Sequence, residues 1–272
     1  MKGAIIGDIV GSVYEFDNIR TKDFPLFSFR SEFTDDTVMT CAVAQLLLDS
    51  KGDYTALPPE HITETLQTWG RKYPDAGYGN MFFEWIFSDQ PYPYYSCGNG
   101  SAMRISPVGM IAKDLKTAEN LAAKISEVSH NHEEGIKGAV CIAESMVLLK
   151  KGVDKKTLRK YVEEKYYQLA KTCEDYRNEQ AGHHGKEICQ ITVPQAIVCF
   201  LESTDFEDCI RNCISIGGDS DTIAAIAGGL AEAFYGVPNE IWAYAEEYLD
   251  ADLRSIIDDF YLYLESNKLP NE

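Results

Sequence analysis

Apolar residues at Ile5, Ile6, Ile9, Val10 and Val13 recur with the helical period and predict a first helix at the start of the chain. Gly3, Gly7 and Gly11 recur every four positions along it, so one of its faces carries no side chains. An interior glycine costs a helix about 1 kcal/mol, and three at this spacing point to close approach by another helix or by a ligand. Asp8 and Glu15, seven residues apart, are expected on a common face two turns from each other. A second helix is predicted by Val38, Met39, Ala42, Val43, Leu46 and Leu47, and further helices over 61–71, 80–87, 118–128, 134–149 and 157–173. Pro194 suits the first turn of a helix over 193–201. Thr204 and Glu207 have the spacing of a capping box ahead of Cys209, Ile210, Cys213 and Ile214. Gly217 and Gly218 favour a helix stop, after which helices are expected over 223–234, 240–249 and 253–264.

Sustained alternation of period two is missing outside residues 24–33, where Pro25 and the charges argue for a loop. The pattern therefore predicts an all-α fold. Without a flexible linker, a low-complexity tract or a repeat of fixed period, the expectation is one domain over residues 1–272, with 176–186, which hold Gly182, His183 and His184, as an exposed insertion.

The 272 residues suffice for a large core, since a chain of this size buries roughly three quarters of its unfolded surface. Acidic residues number 43 against 25 basic, a formal net charge of -18, which argues against a nucleic-acid or anionic-membrane surface because like charges repel over a broad area. The cysteines at 41, 97, 141, 173, 189, 199, 209 and 213 form no CxxC pair and mostly sit among apolar neighbours, so they read as reduced, buried small hydrophobes. Asp8 and Glu15 interrupt the N-terminal segment before an export signal could be completed. The longest apolar stretch, from Ile223, contains Glu232 and falls short of the ~20 residues of a membrane span. The expectation is a cytoplasmic monomer.

Two acidic clusters carry the strongest chemical signal: Thr34, Asp35, Asp36, Thr37 and Asp219, Ser220, Asp221, Thr222, each opening a strongly apolar helical stretch. One Asp or Thr at a helix start ordinarily caps free backbone amides, but a cap needs only one side chain, and adjacent carboxylates repel unless a cation neutralises them. Carboxylates and hydroxyls without histidine are hard donors, suited to Mg²⁺, Mn²⁺ or Ca²⁺ rather than zinc. Neither run has the spacing of an EF-hand loop. Between the clusters, Gly98, Asn99, Gly100, Ser101, Ala102, Met103 and Arg104 form a small-residue loop that could cradle phosphate or be an ordinary glycine-rich turn. His130 and His132, in the run Ser129 to His132, could be ligand contacts or helix caps, while His183 and His184 match no zinc spacing.

The order of these elements is more specific than any one of them. GDIVGSVYEF from Gly7, FTDDTVMT from Phe33, GNGSAMRISPVG from Gly98, SHNHEEGIKGA from Ser129 and GGDSDTIAAIAGGLAEAFYG from Gly217 together resemble the ADP-ribosylglycohydrolase family over nearly the whole chain. The resemblance implies an all-helical fold with two divalent cations, Mg²⁺ or Mn²⁺, in a cleft, held by Thr34, Asp35, Asp36, Asp219, Asp221 and Thr222. It places Glu15 at the catalytic centre with Asp36 beside it, the turn of Gly98, Asn99, Gly100 and Ser101 on the substrate's diphosphate, His130 on the ADP-ribose, and Tyr78 and Gly79 along the substrate. Implied too are cleavage of the bond between ADP-ribose and an acceptor, an arginine side chain of a protein first, and an ADP-ribosylated protein or small ADP-ribose conjugate as partner. A serine or other O-linked acceptor, a small-molecule or nucleobase conjugate, and a non-catalytic crystallin-like role are the competing expectations. The chain departs from the family more in 17–32 and 172–188, loops that vary with substrate.

Overall fold

The structure, a computed structural model, describes residues 1–54, 57–179 and 187–267. Its helices are, in order, α1 (Lys2–Gly11), α2 (Asp35–Asp49), α3 (Pro59–Lys72), α4 (Asn80–Phe87), α5 (Gly100–Met103), α6 (Ser106–Ile111), α7 (Leu115–Glu127) and α8 (Glu133–Lys150). They continue with α9 (Lys155–Lys165), α10 (Cys173–Asn178), α11 (Cys189–Glu202), α12 (Phe206–Ile216), α13 (Ser220–Tyr235), α14 (Asn239–Glu246) and α15 (Ala251–Ser266). No strand is present among the described residues, only an isolated bridge between Gly98 and Ile188, and the all-α expectation holds. None of these helices is long and apolar enough to cross a membrane. Seven cysteines are buried and Cys97 is half-buried, all as free thiols.

At the centre, α1 lies flat against α13. A Cβ on Gly3 would come within 2.1 Å of the Gly228 carbonyl oxygen, and one on Gly7 within 2.1 Å of that of Ala224. The bare face of α1 is thus filled by another helix, not by a ligand. At its C-terminal end the same face meets the backbone of Asp221, where a Cβ on Gly11 would lie 2.3 Å from Cα. This backbone-to-backbone approach brings Asp8 of α1 beside the start of α13.

Several expected boundaries move, each for a tertiary reason. The helix predicted over 157–173 ends at Lys165, because Lys165, Tyr161 and Tyr166 all turn to the buried carboxylate of Glu144 on α8. A new helix then starts at Cys173, capped by Thr172 in a reciprocal pair with Asp175. Pro194 lies inside α11 and not in its first turn. That helix begins earlier because the Cys189 amide bonds the Cys97 carbonyl at 2.9 Å, anchoring its first residue. The cap of α12 is Asp205, which accepts from the Asp208 amide at 2.8 Å. Thr204 bonds the Asp208 carboxylate instead, and Glu207 pairs with Arg211, so the expected capping box does not form. The first helix stops at Gly11, which leaves Glu15 in the following loop and not on one helical face with Asp8. Residues 24–33 form a loop as expected. Most of the expected insertion at 176–186, with Gly182, His183 and His184, lies outside the described residues.

Candidate active site

Asp8, fully buried, organises the first acidic cluster. Its carboxylate accepts the backbone N–H of Thr34 at 2.9 Å and of Thr37 at 3.0 Å, together with the hydroxyls of both threonines. Burial raises its pKa to about 6 even though these hydrogen bonds favour the ionised form. Thr34 Oγ1 in turn accepts from the Asp36 amide and caps α2. Because a threonine does the capping, the carboxylates of Asp35 and Asp36 are left to face a cleft. The Asp35 amide donates to the Ala76 carbonyl at 2.7 Å, drawing in the segment from Gly77, whose φ of +99° requires glycine.

The second cluster escapes capping as well. Asp219 holds the N-cap position of α13 without a side-chain capping bond. Its carboxylate instead accepts from Asn99 Nδ2, which also donates to Thr192 Oγ1 at 3.0 Å. Thr222 Oγ1 donates to Asp36 Oδ2 at 3.1 Å and joins the two clusters directly. Ligating atoms of Asp8, Asp36 and Asp221 lie within 4.8 Å of one another, as do those of Glu15, Asp219 and Asp221.

This crowding is electrostatically unfavourable without a counter-charge. Asp35 is pushed well above the usual carboxylate range by burial first, then by Asp8, Asp219 and Glu15. Asp36 rises similarly through burial, Asp8 and Asp35, and Asp221 through burial, Asp219 and Asp36. Asp36 Oδ1 is buried with no hydrogen-bond partner, a costly state for a carboxylate oxygen. An orphaned anionic oxygen among oxygen-only donors is the environment that a hard divalent cation satisfies. The residues present therefore fit such an ion.

The cleft encloses about 290 Å³. Glu15, Thr34, Asp35, Asp36, Gly79, Gly98, Asn99, Gly100, His130, Asp219, Asp221 and Thr222 all line it. Two expected substrate contacts do not. Ser101 is fully buried and its hydroxyl donates to the Gly135 carbonyl at 2.8 Å, because this first turn of α5 faces α8. Tyr78 is buried behind the wall, its ring 5.9 Å from that of Phe82. Asn99, too, turns its amide toward Asp219, linking the glycine turn to the second acidic cluster. The histidines separate: His132 caps α8 by accepting from the Glu134 amide at 3.0 Å, while His130 faces the cleft.

Sequence reading passed over Phe82 and Tyr94, named Arg104 only as the end of the glycine loop, and gave Asp8 no role; Phe82, Tyr94 and Arg104 line the same cleft. A signal existed for Arg104, the sole charged residue between Gly98 and Ala112. Phe82 and Tyr94 carried none, since an aromatic in a helix or loop is ordinarily core.

An all-helical body with carboxylates from two distant helix starts gathered on one cleft defines an all-α protein with an acidic site that fits a hard divalent cation. A family model described as ADP-ribosylglycohydrolase matches residues 1–270. The mouse ADP-ribosylhydrolase ARH3 is 27% identical, over 87% of this chain and 83% of its own length. The ADP-ribosylarginine hydrolase Tri1 of Pseudomonas putida is 26% identical, over 86% of this chain and 69% of its own. A solved structure titled ADP-ribosylglycohydrolase-related protein complex superposes with a TM-score of 0.73 at 23% identity, covering 98% of this chain and 95% of that one. The chain belongs to the ADP-ribosylglycohydrolase family and is a hydrolase acting on ADP-ribose conjugates.

Proposed function

We propose that this protein, working as a single domain, hydrolyses the glycosidic bond between ADP-ribose and an arginine side chain, with two divalent cations, Mg²⁺ or Mn²⁺, held by Thr34, Asp35, Asp36, Asp219, Asp221 and Thr222. The observation that carries the reading is the junction of the two clusters through Thr222 and Asp36, next to an Asp36 oxygen that nothing in the protein satisfies. When bound, the cations supply Lewis acidity to the hydroxyls and water they hold. Glycosidic cleavage develops positive charge on the sugar. Glu15, the carboxylate on the cleft that is not assigned to the cations, stabilises that charge. Glu15, in the loop after α1 and on the cleft, is the residue assigned as general base to the water that attacks the anomeric carbon or general acid to the leaving nitrogen, with Asp36 beside it. The negative charge of Glu15 on the cleft favours a cationic acceptor, which supports the arginine guanidinium over a neutral serine hydroxyl.

Release of ADP-ribose should be measured from arginine-linked, serine-linked and small-molecule conjugates, each with Mg²⁺, Mn²⁺ and chelator. Metal-dependent release from the arginine conjugate is the expected result, and preference for another conjugate would replace the acceptor assigned. Glu15→Gln is expected to lower kcat by about 10²- to 10⁴-fold, the usual weight of a general acid or base, while calorimetry shows ADP-ribose still bound. Turnover at the wild-type rate would remove Glu15 from the chemistry.

The raised carboxyls also predict a stability effect. Asp35, Asp36 and Asp221 hold protons more tightly when folded than unfolded, so metal-free stability is greatest in acid and declines as pH rises through their folded values. Cations compete with those protons. A thermal melt should show Mg²⁺ or Mn²⁺ raising the midpoint more at pH 8 than at pH 5, with chelator reversing the gain. A midpoint indifferent to both metals at pH 8 would count against the metal assignment.

A further inference from the structure

Arg104 is fully buried at the cleft, and among the described residues no carboxylate pairs with it. Its Nη2 donates to the Ile125 carbonyl at 3.2 Å and to Ser129 Oγ at 3.0 Å, while Nε and Nη1 have no hydrogen-bond partner. The guanidinium carbon lies 5.4 Å from the centre of the Phe82 ring, a cation–π contact that partly offsets desolvation. Ser129 Oγ, itself fully buried, lies 2.8 Å from His130 Nδ1.

The donors and acceptors in this chain of contacts favour one tautomer of the imidazole. A guanidinium only donates, so Ser129 Oγ accepts from Arg104. The serine's own proton then has one acceptor within reach, His130 Nδ1, and leaving it undonated in a buried site would cost a hydrogen bond. A ring that accepts at Nδ1 carries its single proton at Nε2. Burial, reinforced by the neighbouring Arg104 charge, holds the His130 pKa well below its ordinary value, in keeping with a neutral ring.

The Nε2 edge is the one turned to the glycine turn. A Cβ on Gly100 would come within 3.0 Å of Nε2, and one on Gly98 within 3.4 Å. Glycine at both positions leaves this edge open to the cleft, and among the described residues nothing in the protein takes the Nε2 proton.

We propose that Arg104 and Ser129 are positioning residues that fix His130 as the neutral Nε2–H tautomer, so that the ring presents a hydrogen-bond donor to a ligand oxygen at the Gly98–Gly100 turn. The assignment of that oxygen to ADP-ribose rests on the function proposed above, whereas the tautomer does not. With no carboxylate paired to it among the described residues, the guanidinium leaves positive charge at this end of the cleft, which favours an anionic portion of the ligand here.

Long-range ¹H–¹⁵N spectra of the whole, ligand-free protein at pH 7 test the tautomer directly, with His130 assigned as the signal lost in His130→Gln. The expected pattern is a protonated Nε2 and an unprotonated Nδ1. Ser129→Ala should destroy the single-tautomer pattern, weaken ADP-ribose binding by about tenfold, the loss of one hydrogen bond, and raise KM with kcat nearly unchanged. Ser129→Thr, which keeps the hydroxyl, should restore all three. An Nδ1-protonated or doubly protonated ring in the wild type overturns the proposal, as does a Ser129→Ala variant that keeps the Nε2–H pattern. The expected spectrum in a protein that binds no ADP-ribose would leave the tautomer standing and strike the proposed function instead.

Discussion

Asp219→Ala and Asp35→Ala are each expected to reduce metal-dependent hydrolysis by at least about 10³-fold while leaving the helical fold near intact. Loss of a metal ligand removes several kcal/mol of transition-state stabilisation, and each 1.36 kcal/mol is about tenfold in rate. The fold should survive because neither carboxylate supports a helix: Thr34 caps α2, and Asp219 makes no side-chain cap on α13. Removing one charge even relieves repulsion among carboxyls that raise one another's pKa. Circular dichroism without metal should therefore match the wild type, the metal-free midpoint of Asp35→Ala should be no lower than the wild type's, and in both variants the midpoint gain on adding Mg²⁺ or Mn²⁺ should shrink. Full activity of either variant in excess metal would sink the ligand assignment.

Gly7→Ala is expected to produce the largest loss of stability of any single methyl addition in α1. The new Cβ would lie 2.1 Å from the Ala224 carbonyl oxygen and 2.6 Å from the Ala225 amide nitrogen. Both are backbone atoms inside α13, so no rotamer change can make room. Overpacking a core costs about 1–3 kcal/mol where side chains can adjust, and more where they cannot. At about 2–4 °C per kcal/mol for a chain of this class, the midpoint should fall by roughly 10 °C. Activity should fall with it, because separating α1 from α13 carries Asp8 away from Asp221. For the midpoint alone, Gly79→Ala serves as the control, since a Cβ there meets nothing within 4 Å and no positive φ is required. A Gly7→Ala protein that melts with the wild type would mean that α1 and α13 do not touch as described.

Much of the fold is legible in the chain because helices leave a local record. The period of 3.6 over Val38 to Leu47, the capping threonine ahead of it and the Gly217–Gly218 stop ahead of α13 are all short-range patterns. Boundaries failed where a distant group decided them. Glu144, on α8, ends α9 by collecting Tyr161, Lys165 and Tyr166, and the strand-like contact of Cys97 with Cys189 starts α11 ahead of Pro194. No window of local sequence contains both partners of either contact.

The site divides in the same way. The acidic pairs announce themselves in sequence, since two adjacent carboxylates exceed what capping needs. Sequence alone determined the all-helical class, the hard-oxygen character of the clusters and the family resemblance. Tertiary structure decided which partner filled the glycine face of α1, that Asp8 holds the start of α2 through Thr34 and Thr37, that Asn99 serves Asp219, and that Ser101 faces inward. Arg104 shows the physical reason. Its composition signal was visible, but whether a charge in an apolar run is ion-paired, exposed or left buried without a counter-charge depends on which other segments pack around it, and only the folded chain contains that information.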